Sequence, residues 1–185
     1  AMQNAGRIMK ETGASAIKLE GGKEVCPQIR AITAAGIPVV AHIGMTPQSV
    51  NAFGGFTVQG KGEANARRVL EDALAVQEAG AFAVTLECVP PKLSALITKK
   101  LDIITIGIGA SPECDAQVLV WQDMLGISDF KPKFAKHFAE VGETMREAFR
   151  AYDGEVKSGV FPASEHTFVK SDCTEEFLAS LDVEY

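Results

Sequence analysis

Apolar residues recur along this chain in two alternating rhythms. Short, nearly uninterrupted apolar runs occupy Ala16 to Glu20, Pro38 to Gly44, Phe82 to Val89 and Ile103 to Gly109, with a weaker fifth at Val118 to Gln122. Between them, near Glu24 to Ala35, Ala64 to Ala79 and Pro91 to Leu101, apolar side chains return every three or four residues. Continuous Val, Ile, Leu and Ala runs are what parallel strands covered on both faces need. The intervening period is that of amphipathic helices. Repeated β-then-α order therefore predicts a parallel α/β sheet or barrel.

The ends of the chain read differently. Met2, Ala5, Ile8 and Met9 predict a helix over 2–13 that stops at Gly13 as its C-terminal cap. No capping residue precedes it, so the chain is expected to begin partway through a larger fold. A long helix with an interruption at Gly142 is expected over 135–157. The segment from Val169 to Tyr185 is acidic and weakly periodic. It is expected to be a mobile tail or to hold one short helix, TEEFLASL, capped near Asp172. The expected division is a (β/α) unit over 1–168 and a tail over 169–185.

An internal echo points to chemistry. TGASAIKLEGG (12–22) and AGAFAVTLECV (79–89) superimpose without gaps, each running from a helix-ending Gly-Ala through a strand to a Glu, so that Glu20 and Glu87 occupy equivalent positions. AGIPVVAHIG (35–44) follows the same plan with a His at 42. Polar groups thus recur at the carboxyl ends of parallel strands, where barrels and open α/β sheets build their sites. Side chains alternate along a strand, so Lys18 and Glu20 share one face and Ile17 and Leu19 the other. A Lys-Glu pair on an edge strand is the plainer reading of that dipeptide spacing, and the second Glu at 87 weighs against it.

Composition narrows the function classes. A net charge of −6 and a pI near 5.1 argue against a nucleic-acid surface. No run approaches the roughly 18 to 20 apolar residues that span a bilayer, and no basic-then-apolar leader opens the chain. No membrane association is expected, and the expected location is the cytoplasm. The four cysteines, Cys26, Cys88, Cys114 and Cys173, show no C-x-x-C spacing and are read as free thiols, with Cys88 buried in a strand.

Among the candidate site residues, Lys18, Glu20, His42 and Glu87 suit proton abstraction next to a carbonyl, with a divalent ion holding the enolate. Glu20, with Lys18 beside it, is expected to stay ionised and to suit a metal shell. Glu87, flanked by apolar residues, is the better candidate for a base with a raised pKa. A structural role is the alternative for His42. His137 is expected on the long helix facing solvent, and His166 to pack or cap. The glycine-rich segment 44–65 follows the His42 strand and reads as a lid or substrate-shaping loop. Its GKG lacks the order of a phosphate loop, and IGIGAS (106–111) is only half of a dinucleotide fingerprint.

Seven stretches taken together, IKLEGG, VVAHIGMTPQSVNAFGGFTVQGKG, LECVP, ITIGIGA, QVLVWQDMLGI, PKFAKHFAEVG and GVFPASEHTF, resemble the ketopantoate hydroxymethyltransferase family in the same order and at similar spacing over about residues 1 to 168. The resemblance implies a (β/α)8 TIM barrel of the phosphoenolpyruvate-mutase-like group, assembled as a homodecamer. It implies transfer of a hydroxymethyl group from 5,10-methylenetetrahydrofolate to 2-oxoisovalerate, giving ketopantoate for pantothenate and coenzyme A, with Mg2+ chelating the keto acid. By motif position Lys18 would bind the substrate carboxylate, Glu20 would join the metal shell, Glu87 would accept the proton and His42 would line the substrate site.

The departures from the family are also specific. Three earlier strand-helix units, carrying two metal-binding aspartates and a serine that touches substrate, are absent from this chain, and a full barrel needs about 250 residues. Five strands alone cannot close such a barrel. Ser111 and Ala116 stand where the family has glycines near the folate side, and are expected to crowd backbone that needs positive φ or close ligand approach. A truncated non-catalytic remnant and a related barrel lyase acting on another 2-oxo acid are the competing readings.

Overall fold

A computed structural model describes residues 1–168 and 173–181 of the chain. Helix α1 (Met2–Thr12) ends on Gly13, whose φ of 67° provides the left-handed cap expected there. Strand β1 (Ile17–Glu20) leads through a short 3-10 turn into α2 (Cys26–Ala34). The β-then-α rhythm continues through β2 (Val39–Gly44), α3 (Glu63–Glu78), β3 (Ala83–Glu87), α4 (Pro91–Lys100) and β4 (Ile104–Ile108). Strand β5 (Ala116–Gln117), α5 (Trp121–Met124), α6 (Val141–Ser158) and α7 (Glu175–Leu181) complete the described elements.

The five strands form one sheet in the order β1-β2-β3-β4-β5, and every pairing is parallel. Parallel crossovers are almost always right-handed, so a strictly sequential order stacks the connecting helices on a single face. The core lies on that face: Ile17, Val39, Ala41, Ile43, Val84 and Leu86 pack with Ile29 and Ile32 of α2, Val69, Ala73 and Val76 of α3, and Ile97 of α4. The opposite face carries Lys18, Val40, His42, Thr85 and Ile106. It is open at its margins, where Lys18 is exposed and Ile104 is 49% exposed. Its centre is covered, with Ala83, Thr85 and His42 buried, so the coverage on both faces implied by the apolar runs fails only at the margins.

Two element boundaries differ from the sequence expectation. The fifth strand is not Val118 to Gln122. Pairing to β4 involves Ala116 and Gln117, with the Val118 N–H donating to the Gly107 carbonyl, and the chain then turns into α5. A short apolar run such as Val118-Leu119-Val120 does not by itself distinguish strand from helix. The long helix begins at Val141, not near Ala135. The Phe138 N–H donates to Met124 O at 2.8 Å and the Val141 N–H to Leu125 O at 2.9 Å, which commits residues 135–140 to α5 and its following turn. Gly142 is therefore no interruption but the point of closest approach: a Cβ there would lie 2.4 Å from the Gly126 carbonyl oxygen.

The expected short helix of the tail is α7, and the Phe177 N–H donates to Thr174 Oγ at its start. The expected cap at Asp172 lies outside the described residues. Among the described residues no helix is long and apolar enough to cross a membrane.

Candidate active site

Strand register decides which of the polar strand ends meet. Glu20 of β1 pairs directly with His42 of β2, and His42 pairs with Thr85 of β3. Glu87 lies one alternation further along and pairs with Gly44. Directly opposed residues on one sheet face are neighbours, and diagonal ones remain within reach of long side chains. His42 accordingly meets both carboxylates, with its Nε2 3.0 Å from Glu87 Oε2 and its Nδ1 3.8 Å from Glu20 Oε1. The sequence echo makes Glu20 and Glu87 equivalent in their own strands, yet the register places them at different heights with the imidazole between.

Burial separates the roles of these groups. His42 is 3% exposed, and neither ring nitrogen makes a hydrogen bond within the described chain. Glu20 and Glu87 keep 24% and 14% of their side-chain surface accessible. Glu20 is further fixed by the main chain, because the Gln48 N–H donates to its Oε2 at 2.9 Å. Lys18 stands on the same face as Glu20, two residues before it. It is exposed, and its ammonium forms no ion pair or hydrogen bond among the described residues.

The ends of β2 and β3 are locked together. The Met45 N–H donates to Glu87 O at 2.8 Å. Directly after Glu87 the chain turns through Cys88, which has a φ of 51° and is the one non-glycine residue with positive φ among the described residues. Its N–H donates to Ile108 O and its carbonyl accepts the Gln59 N–H, both at 2.9 Å. Cys88 is thus not buried within a strand as expected, but half-buried just past one, where the thiol's pKa is raised first by burial and then by the Glu87 carboxylate. Cys26, Cys88 and Cys114 carry free thiols, as read from their spacing.

A groove of about 780 Å3 opens beside Glu87. Its walls are largely apolar: Phe56 and Val58 from the glycine-rich segment, Pro90 and Ile108 from the strand ends, and Phe130 and Phe134 from the segment before α6. The long loop after His42 therefore shapes the groove, while Phe130 and Phe134 carry no periodic signal in the sequence. Asp123 and Lys133 are charged groups on the groove wall.

The remaining expected positions resolve simply. Neither Ser111 nor Ala116 has positive φ, so the anticipated backbone strain is absent at both. The Ser111 hydroxyl is buried and accepts the Glu113 N–H at 3.1 Å, whereas Ala116 is exposed in β5. His137 is not on α6 and is not solvated: its side chain is 14% exposed and Nδ1 lies 3.0 Å from Glu140 Oε1. His166 caps a turn, with Nδ1 accepting the Ala163 N–H at 3.2 Å, and packs on the Phe161 ring. Neither joins the Glu20-His42-Glu87 cluster.

A family model described as ketopantoate hydroxymethyltransferase matches residues 1–164, which include every residue of that cluster. The chain belongs to the ketopantoate hydroxymethyltransferase family. Proteins named 3-methyl-2-oxobutanoate hydroxymethyltransferase are similar across nearly the same region. The one from Clostridium novyi (strain NT) is 61% identical over 169 residues, covering 91% of this chain and 62% of its own length. That of Enterococcus faecalis (strain ATCC 700802 / V583) is 61% identical over 170 residues with the same two coverages, and that of Rhodococcus jostii (strain RHA1) is 59% identical over 169 residues, 58% of its length. The chain thus spans about three fifths of these relatives. In ketopantoate hydroxymethyltransferase terms, the matched region contains the carboxyl ends of β1 to β4 and the groove beside them.

Proposed function

We propose that the protein makes ketopantoate by transferring a hydroxymethyl group from 5,10-methylenetetrahydrofolate to 2-oxoisovalerate. The observation that carries this reading is the convergence of Glu20, His42 and Glu87 at one end of a parallel sheet, beside an apolar groove, in a chain of this family. The branched carbon of the keto acid is acidified by the neighbouring ketone. Glu87, partly accessible at the groove, takes its proton, and the electron pair of that C–H bond passes into the enolate. Water adds to the methylene carbon of the folate and its two carbon–nitrogen bonds break, leaving tetrahydrofolate and formaldehyde. The enolate carbon then bonds to the formaldehyde carbon at the groove, and the formaldehyde oxygen takes up the proton held by Glu87 to become the new hydroxyl. The Lys18 ammonium, unpaired within the described chain, receives the keto acid carboxylate through a charge-assisted hydrogen bond.

A divalent ion such as Mg2+ stabilises enolate oxygen when bound. Its shell takes oxygen ligands, commonly one or two carboxylates completed by substrate and water. Glu20 offers one such carboxylate, but the described residues hold no group of three or more His, Cys, Asp or Glu side chains able to ligate a metal. Glu20 would hold such an ion through its carboxylate together with substrate and water oxygens.

The architecture we propose for the sheet is an arc of a (β/α)8 barrel. Sequential parallel order with every core-forming helix on one face supports this, because a doubly wound sheet reverses its strand order and carries helices on both faces. The Lys18, His42 and Thr85 face is then the barrel interior.

Deuterium exchange from D2O into the branched carbon of 2-oxoisovalerate tests the proton abstraction, and formation of ketopantoate that depends on the folate tests the transfer. Exchange plus folate-dependent product is the expected result. Exchange with product formation indifferent to folate overturns the folate reaction, and no exchange overturns the role of the carboxylates.

A further inference from the structure

The two carboxylates of the site are held by different means. Glu20 is oriented by a backbone donor, the Gln48 N–H. Among the described residues no backbone N–H donates to the Glu87 carboxylate, whose close polar neighbour is His42 Nε2 at 3.0 Å. The imidazole is fixed from below. It lies in the middle of β2, 3% exposed, with Glu20 opposite and Thr85 on its other side, and its two ring nitrogens have no accessible surface through which to reach a ligand. A group so placed touches the keto acid only indirectly.

We propose that His42 is a positioning residue that sets the direction of the Glu87 carboxylate, acting through its Nε2 rather than by contact with substrate. This rests on the reading of Glu87 as proton acceptor. The 3.0 Å contact is not aligned as a hydrogen bond in the chain alone. Catalytic hydrogen bonds are commonly misaligned until substrate is in place, then tighten. The geometry of β2 favours this contact. Gly44, beside Glu87, has no side chain to compete, so the carboxylate bends back along the strand to the ring two residues earlier.

The test compares two amides that differ in reach. Gln places its amide near the Nε2 position of His, and Asn near Nδ1. In the protein carrying this chain, deuterium exchange into 2-oxoisovalerate is measured for the parent, His42→Gln and His42→Asn, resolving kcat and KM. We expect His42→Asn to lower kcat on the order of 100-fold, the effect of misplacing a reacting group by about 1 Å, and His42→Gln to stay within about tenfold of the parent, with KM unchanged in both. Both variants bury an uncharged amide, so a purely structural histidine predicts equal effects, and equal effects overturn the proposal. A rise in KM with kcat held shows direct substrate contact and also overturns it. If the parent itself shows no exchange, the reading of Glu87 falls first and this role falls with it. If the parent exchanges and both variants match it, only the role of His42 is lost.

Discussion

Gly44 and Glu87 face each other across the β2–β3 ladder so closely that a Cβ on Gly44 would lie 2.3 Å from the Glu87 carbonyl oxygen. The same glycine has a φ of 89°, a conformation L side chains rarely adopt. Two independent constraints therefore require glycine at the point where the main chain of the proposed base is set. Gly44→Ala is expected to destabilise the fold by about 2–4 kcal/mol, combining backbone strain with a clash against backbone that cannot yield easily. Urea unfolding measures it, and an unchanged midpoint would show that the strand ends can separate at little cost.

Glu87→Gln isolates the chemistry of the carboxylate from its shape. The amide fills the same volume beside His42 and the groove, yet cannot accept a proton from carbon. Exchange into the keto acid is expected to vanish, while keto acid affinity, measured by titration calorimetry, stays close to that of the parent. Full exchange in the variant would take Glu87 out of the reaction.

Lys18 is predicted to act on binding instead. Its ammonium is exposed and unpaired within the described chain, on the same face as Glu20. Lys18→Ala is expected to weaken keto acid binding by about 1.5–3 kcal/mol, the worth of a hydrogen bond to a charged group. That corresponds to roughly 10- to 150-fold in Kd. Unchanged affinity would mean that the carboxylate is held elsewhere.

How much of this is legible in the sequence depends on the range of the interaction. The alternation at Ile17-Lys18-Leu19-Glu20 sorts the core face of β1 from the opposite face correctly, because helices packed on one face leave the apolar pair no other place to go. The same logic places His42 on that opposite face within β2 and Glu87 on it at the end of β3. It does not reveal the contact between them: register across β2 and β3 is set by tertiary packing and by the close approach at Gly44, not by local spacing. Residues 135–140 have a helical pattern without forming a helix for a related reason, since the Phe138 N–H in their midst is drawn away by the Met124 carbonyl. Phe130 and Phe134 give no signal because a segment without periodicity becomes a groove wall only when the fold brings it to Glu87.

The turn between β4 and β5 carries a pH-dependent contribution to stability. The Asp115 carboxylate accepts both the Thr105 N–H and the Thr105 hydroxyl at 2.8 Å, and the Asp115 N–H donates back to Thr105 Oγ. Those donors, the backbone N–H first, hold the Asp115 pKa below its ordinary value of 3.8. A carboxyl whose pKa is lower folded than unfolded binds more protons when unfolded, so its stabilisation is complete above the unfolded pKa and disappears as pH falls through the folded one. Asp115→Asn keeps the size but has one acceptor oxygen and no charge to titrate. Its stability is expected to be lower than the parent's at pH 7, with the gap narrowing as pH falls below about 4. Urea unfolding of both proteins across that range is the measurement, and a gap independent of pH would mean that Asp115 is held no more strongly in the fold than in the unfolded chain.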